Sequence, residues 1–181
     1  MVTISWGEGT ATPEVTDTVG NTYSLATSTY SPTGDQSLAI YYAKNIVGGA
    51  NRVKVSLKGY HVWRRLLISE YSGIDRVDPV DTVAFNTGNA TTATDSATSG
   101  AGTTTTPGDL IFGAVENYYA IGNFSAGSGY TLRGAVAYSG VMETGIEDKI
   151  QELPGPVAAK FTFSATSPYL AQMVAFRPAA R

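Results

Sequence analysis

The segments NTYSLATSTY (21–30) and QSLAIYYAKNI (36–46), which flank the turn signal at 33–35, decide the fold of this chain. Both segments combine alternation of apolar and polar residues with β-branched or aromatic side chains, a pattern typical of half-buried strands. Six further segments have the same character: NRVKVSLKG (51–59), VWRRLLISEY (62–71), DLIFGAVENYY (109–119), YTLRGAVAYS (130–139), AAKFTFSAT (158–166) and YLAQMVAFR (169–177). Because turn signals separate the strands at intervals of about ten residues, we predict an all-β protein, an antiparallel β-sandwich with a jelly-roll-like topology.

Composition limits the classes of function. The chain has 181 residues, of which 43% are hydrophobic and 15% charged, with a formal net charge of −3. This apolar fraction supports a folded core, and the length suits one domain, 1–181. The acidic balance argues against nucleic-acid binding. With no cysteine and one histidine, His61, the chain has no thiolate zinc site, disulfide, cysteine nucleophile or multi-histidine metal site.

The ends of the chain predict its setting. No stretch reaches the roughly 20 apolar residues of a membrane span, so we predict no membrane insertion. The start, MVTISWGEG (1–9), alternates like a strand and lacks the basic region and cleavage site of a signal peptide. A chain that begins inside a strand suggests a module of a larger multidomain protein. Richness in Thr, Ser, Gly and Tyr is common in secreted bacterial modules, so we predict an extracellular location.

Three pairs of similar segments predict an internal repeat, with an offset of about 107 residues in each pair. The pairs are GNTYSL (20–25) with SGYTL (128–132), VKVSL (53–57) with AKFTF (159–163), and RLLI (65–68) with QMVA (172–175). The constant offset predicts two internally related halves, approximately 1–85 and 108–181, that bury their faces against each other. Low-complexity residues 86–107 join them as a surface crossover or soft linker, in which an edge strand is allowed because Thr suits strands.

Five runs carry a resemblance to a known type of module: GNTYSLA (20–26), LAIYYAKNIVGGANRVKVSL (38–57), LLISEYSG (66–73), TTTTPGDLIFGAV (103–115) and AQMVAFRP (171–178). Together they resemble uncharacterised secreted bacterial β-sandwich modules, jelly-roll or Ig-like, found in large extracellular and carbohydrate-active proteins. The resemblance covers most of the chain except the N-terminal strand. It implies the fold and an extracellular setting, and it brings no catalytic residues.

Aromatic content points to glycan recognition. Eleven tyrosines and two tryptophans accompany few charges, and pyranose rings stack on aromatic faces because their axial C–H groups meet the negative face of the ring. Two adjacent tyrosines in a strand send one ring to each face of the sheet. We therefore predict a non-catalytic module that binds a polysaccharide or other glycan. The predicted contacts are Trp6, Tyr30, Tyr42, Trp63 and Tyr119.

Two alternative functions stay open. A small jelly-roll glycoside hydrolase would use Glu70 and Glu116, since a retaining glycosidase needs two carboxyl groups about 5 Å apart. Only two tryptophans are present, however, and the deep clefts of such enzymes are lined by more. The other alternative is a structural or adhesive spacer domain of a surface or virion protein, which would have neither an aromatic row nor a polar pocket.

A structural calcium is the one cofactor for which the sequence offers ligands. Asp75, Asp78 and Asp81 recur at a spacing of three, and calcium prefers carboxylate and carbonyl oxygens. The spacing is not that of a specific calcium loop, so the competing interpretation is a loop in which Asp81 caps backbone amides after Pro79. The cationic cluster at 61–65 is predicted to be a hairpin with solvated arginines.

Overall fold

A computed structural model describes residues 1–88, 96–118, 125–140, 142–162 and 167–180. These residues form sixteen strands and no helix, which confirms the all-β prediction. The strands of the first half are β1 (Val2–Gly7), β2 (Glu14–Asp17), β3 (Tyr23–Ser31), β4 (Gln36–Ala43), β5 (Val53–Ser56), β6 (Val62–Ile68) and β7 (Val80–Gly88). The others are β8 (Ser96–Thr98), β9 (Gly102–Thr104), β10 (Asp109–Asn117), β11 (Ser125–Ala126), β12 (Thr131–Tyr138), β13 (Met142–Gln151), β14 (Gly155–Val157), β15 (Lys160–Thr162) and β16 (Tyr169–Phe176).

Two antiparallel sheets form the framework. The first has the order β3-β4-β1-β6 and the second the order β12-β13-β10-β16-β7. Leu38 and Ile40 of the first sheet share one buried cluster with Phe112, Ile146 and Val174 of the second. The two sheets therefore pack face to face, as predicted for a sandwich, and the finer jelly-roll-like description stays a prediction.

Short strands cover the outer faces of both sheets. Over the first sheet, β2 pairs with β5, and Val15 and Val55 pack against a buried cluster that contains Trp6. Over the second sheet lie β11-β15-β8 and β14-β9, with Phe161 in the same buried cluster as Ile111. Because β1, β10 and β16 are covered on both faces, every residue in these three strands is buried.

The same pairing scheme occurs in both halves of the chain. In the first half β1 pairs with β4 and β6, and β3 pairs with β4. In the second half β10 pairs with β13 and β16, and β12 pairs with β13. A β-bulge follows Leu25 in β3, and another follows Leu132 in β12, 107 residues later. An internal duplication requires this kind of correspondence, and the duplication itself stays a prediction.

The predicted joining segment, 86–107, contributes strands where the structure describes it. β8 pairs with β15, and β9 pairs with β14, so this part of the chain belongs to the cover of the second sheet. β7 pairs with β16, although the sequence division placed most of it in the first half. In the described part of the chain no helix has the length and apolarity to cross a membrane.

Candidate functional site

A groove of about 530 Å³ opens at the end of the sandwich where β1 begins and β4 ends. Tyr23 of β3, Tyr42 of β4 and Tyr71, which follows β6, line it together with Phe176 of β16. The rings of Tyr42 and Phe176 meet edge to face, with centroids 5.8 Å apart and an interplanar angle of 71°. We call this surface the Tyr42 groove. Its aromatic residues come from four separate strands or strand ends.

One wall of the Tyr42 groove is held by the carboxylate of Asp17. Its Oδ2 accepts hydrogen bonds from Asn21 Nδ2 at 2.7 Å, Asn51 Nδ2 at 2.9 Å and Tyr23 Oη at 2.9 Å. Desolvation opposes ionisation of Asp17, but hydrogen bonds from Asn51, Asn21 and Tyr23 lower its pKa below the usual range. Desolvation and the bond to Asp17 raise the pKa of Tyr23 to about 12. The hydroxyl and amides of this wall are therefore fixed before any ligand arrives.

Other polar groups of the Tyr42 groove have hydrogen-bonding capacity to spare. Among the described residues, the hydroxyl of Tyr42, the carboxylate of Glu70 and the guanidinium of Arg76 have no hydrogen-bond partner. Asp75 uses only Oδ1, which accepts the amides of Val77 at 2.7 Å and of residue 78 at 2.9 Å. These backbone bonds lower the pKa of Asp75. The groove thus offers a donor and several acceptors to a polar ligand.

A second groove, of about 430 Å³, adjoins the first and shares residues 71–74 with it. Arg133 of β12 and Asp148 of β13 line it, and Arg133 Nε donates to Asp148 Oδ2 at 2.8 Å. Tyr71 Oη donates to the same oxygen at 2.7 Å, while its ring meets Phe112 at 6.1 Å with an interplanar angle of 83°. We call this surface the Arg133 groove. Residues 71–74, the ridge, stand between the two grooves and are anchored by Tyr71.

The four described residues among the predicted sugar-binding aromatics do not lie together at one site. Tyr42 lines the groove described above, but Trp6 is 0% exposed, and its prediction as a surface contact is wrong because β2 and β5 cover that face of β1. Tyr30 is exposed at the other end of β3, where its hydroxyl donates to an aspartate. Trp63 is half-buried and packs against the cluster between the sheets. Tyr119 lies outside the described residues.

The two glutamates of the hydrolase alternative do not share a cleft. Glu70 is exposed in the Tyr42 groove, whereas Glu116 is 0% exposed and forms an ion pair with Arg65 between the sheets. Arg65 Nε also donates to Ser5 Oγ and Thr144 Oγ1, both at 2.9 Å. Burial raises the pKa of Glu116, and the charge and hydrogen bond of Arg65 oppose this shift. A polysaccharide cannot reach Glu116, and the prediction that Arg65 is solvated is wrong.

The three aspartates of the predicted calcium site point to different partners. Arg177, just after β16, donates from Nη1 to Asp78 Oδ2 at 2.8 Å and from Nη2 to Asp81 Oδ1 at 2.9 Å. Asp75 instead accepts two backbone amides of its own turn. Asp81, which the sequence predicted to cap amides after Pro79, accepts the amide of Thr105. The described residues contain no group of three or more His, Cys, Asp or Glu arranged to hold a metal ion. A guanidinium therefore supplies the positive charge for two of the three carboxylates.

Comparisons of this chain with protein-family models, curated proteins and solved structures found no match. The site is therefore defined by its geometry alone. Sequence reasoning missed Tyr23, Tyr71 and Arg76 as groove residues. Tyr71 could have been identified, because it directly follows Glu70 at the end of an apolar strand. The sequence could not show that β3 begins beside it and that β4 and β16 end beside it.

Proposed function

We propose that this chain is a non-catalytic carbohydrate-binding module and that the Tyr42 groove holds the glycan. The observation that carries the proposal is the combination, in one open groove, of three tyrosines with an unpartnered hydroxyl, carboxylate and guanidinium. Ligand sites commonly join apolar or aromatic walls to a few polar groups that fix orientation. Sugars need both kinds of contact, since each ring has apolar C–H faces and a rim of hydroxyls.

Some groove residues would form hydrogen bonds with the glycan, and others hold the walls of the groove in place. Glu70 and the free Oδ2 of Asp75 would accept hydrogen bonds from sugar hydroxyls, and Arg76 would donate to ring or hydroxyl oxygens. Tyr42 can do either through its hydroxyl. The Asp17 network holds Tyr23, Asn21 and Asn51 in place, which lowers the conformational entropy lost on binding.

This site favours binding over hydrolysis because Glu116, the second carboxylate of the hydrolase alternative, is enclosed between the sheets and does not line the groove that contains Glu70. The extracellular setting and membership of a larger multidomain protein remain part of the proposal and rest on composition and on the resemblance described above.

Affinity electrophoresis against soluble glucans, xylans, mannans and pectins tests the proposal. We expect at least one polysaccharide to retard the protein. Tyr42→Phe and Glu70→Gln keep the shape of each side chain and should each weaken binding by about fivefold, the value of one hydrogen bond. Matched controls are Tyr60→Phe and Glu152→Gln, exposed residues outside both grooves.

Three outcomes decide the matter. Retardation that is reduced in the two groove variants and retained in the two controls supports the proposal. Retardation that is equally reduced in all four variants contradicts the assignment to the Tyr42 groove. No retardation by any polysaccharide contradicts carbohydrate binding altogether and favours the structural or adhesive spacer.

A further inference from the structure

The Tyr42 groove and the Arg133 groove adjoin along the ridge, and residues 71–74 line both of them. We call the two grooves together the path. Tyr71 lines both grooves, and its ring and hydroxyl are held by Phe112 and Asp148. A compact ligand would occupy only one of the two depressions. A path of this shape, with a fixed aromatic residue at its middle, suits an extended chain that continues from one groove into the other.

Each groove along this path has one arginine with unused donors. Arg133 donates a hydrogen bond to Asp148 through Nε only, and its side chain is 50% exposed. Both terminal nitrogens are therefore available to donate to a ligand. Arg76 is exposed in the Tyr42 groove, and its guanidinium has no hydrogen-bond partner among the described residues. Each arginine therefore belongs to one groove of the path, and Tyr71 lines both grooves.

Most carboxylates that line the two grooves already accept hydrogen bonds from the protein. Asp148 is 4% exposed and accepts from both Arg133 and Tyr71, and Asp75 accepts two backbone amides. Glu70 accepts no hydrogen bond from the described residues, and its charge faces the α-ammonium of Met1, which lines the same groove. On a chain whose net charge is −3, the path thus retains two forked donors that match planar carboxylates.

We propose that the ligand is a linear polysaccharide with uronic acid residues, which crosses the ridge and places carboxylates against Arg133 and Arg76. This inference rests on the proposed function and specifies its ligand class. Tyr71, which lines both grooves, contacts the sugar units that link the bound carboxylates. Arg133 binds a carboxylate of the polysaccharide in one groove, and Arg76 binds another in the second groove. The tyrosines and Glu70 contact the neutral parts of the polysaccharide.

The experiment compares acidic polymers with the same polymers after methyl esterification, which removes the negative charge and keeps the sugar. The probes are polygalacturonate and alginate, each beside its methyl ester, in titration calorimetry. We expect the full chain to bind at least one acidic polymer about tenfold more tightly than its ester. This preference should shrink as salt is raised, because both arginines are exposed.

Variants then locate the preference. Arg133→Gln and Arg76→Gln should each reduce affinity for the acidic polymer by about threefold to fivefold while affinity for the ester stays unchanged. Arg64→Gln, an exposed arginine outside both grooves, is the control and should change neither value. Arg133→Lys keeps a positive charge beside Asp148 and should give an intermediate loss, which separates ligand binding from disruption of β12.

The results separate this inference from the proposed function. Equal affinity for acid and ester, or a preference for a neutral glucan, xylan or mannan, overturns the uronate assignment and leaves carbohydrate binding standing. A charge preference that survives in both Arg→Gln variants overturns the assignment to this path. Failure to bind any acidic, esterified or neutral polymer overturns both.

Discussion

Arg65 of β6 and Glu116 of β10 form an ion pair across the interior of the sandwich, with side chains 1% and 0% exposed. Arg65 also reaches Gln36 Oε1 at 3.2 Å through Nη2, so the pair belongs to a polar network that joins the two sheets. In contrast, the cluster around Ile40 and Phe112 is apolar. The space between the sheets therefore has an apolar part and a polar part, and the polar part is built by residues distant in sequence.

Removing one partner of this pair should be strongly destabilising. We expect Arg65→Met to lower the free energy of unfolding by about 3–5 kcal/mol, because it leaves the carboxylate of Glu116 buried without a counter-charge. The double variant Arg65→Met/Glu116→Leu should lose less than the sum of the two single variants. Urea unfolding of all four proteins gives the double-mutant cycle. Additive losses would show that the two charges do not interact across the sheets.

Stability should depend on pH through Asp109, which is 0% exposed at the start of β10 beside Asp81. Burial and the neighbouring Asp81 raise the pKa of Asp109 to about 7, above the 3.8 of an unfolded chain. The folded state thus holds this proton more tightly, and the free energy of unfolding should fall as pH rises from about 4 to about 7. Below about pH 4 both states are protonated at Asp109, and its contribution is constant.

Asp109→Asn tests this dependence because an amide cannot ionise. Unfolding by urea at several values between pH 4 and pH 8 should show a shallower decline in the variant than in the parent protein. Some decline should remain, since burial also raises the pKa of Glu147, to about 7. Glu152→Gln, at an exposed position, serves as the control and should keep the parent slope. Parallel curves for the parent and Asp109→Asn would contradict the assignment.

Trp6 should act as a core residue, although the sequence suggested a surface contact. It is 0% exposed, and its Nε1 donates to the carbonyl of Gly9 at 3.1 Å. We expect Trp6→Ala to lower the free energy of unfolding by about 3–5 kcal/mol, since it removes a large side chain beneath β2 and β5. Tyr60→Ala, at a side chain that is 76% exposed, should change it by less than about 0.5 kcal/mol. Similar small losses in both variants would contradict burial of Trp6.

Gly34, in the turn between β3 and β4, should not tolerate a side chain. A Cβ at this position would occupy the space of the Tyr118 ring. We expect Gly34→Ala to cost about 1–3 kcal/mol through displacement of that ring. Gly48→Ala is a matched control, because nothing lies within 4 Å of its added Cβ and its φ is not positive. Thermal unfolding compares the two variants, and equal midpoints would show that Tyr118 does not pack on Gly34.

The strands were the most predictable part of the fold because alternation records which face of a strand is buried. The segments 21–30 and 36–46 became β3 and β4, and 169–177 became β16. The pattern was weakest where strands are short. β2 has four residues, too few to establish a period, and it went unpredicted. β5 lies within the predicted segment 51–59, but the sequence did not show that it pairs with β2 to cover the first sheet.

The candidate site was predicted only in part, because its residues meet through long-range packing. Tyr42 was expected to contact a ligand, and it lines the groove. Its neighbours Tyr23, Tyr71 and Phe176 are brought to it by three other strands. Arg65 was expected in solvent because the cationic cluster at 61–65 was interpreted as a hairpin, and its partner Glu116 is 51 positions away in the chain.

The amino-acid sequence by itself determined the all-β class, the position of the main strands and the absence of thiolate and multi-histidine chemistry. These depend on residue identity and on a local period of two. Only the tertiary structure decided which face of a strand stays open once a second layer covers it. That choice buried Trp6 beneath β2 and β5, enclosed Glu116 between the sheets and left Tyr42 at the edge of a groove. The physical reason is that burial depends on contacts between residues far apart in the chain, whereas alternation records only that a side chain lies on one face of its own strand.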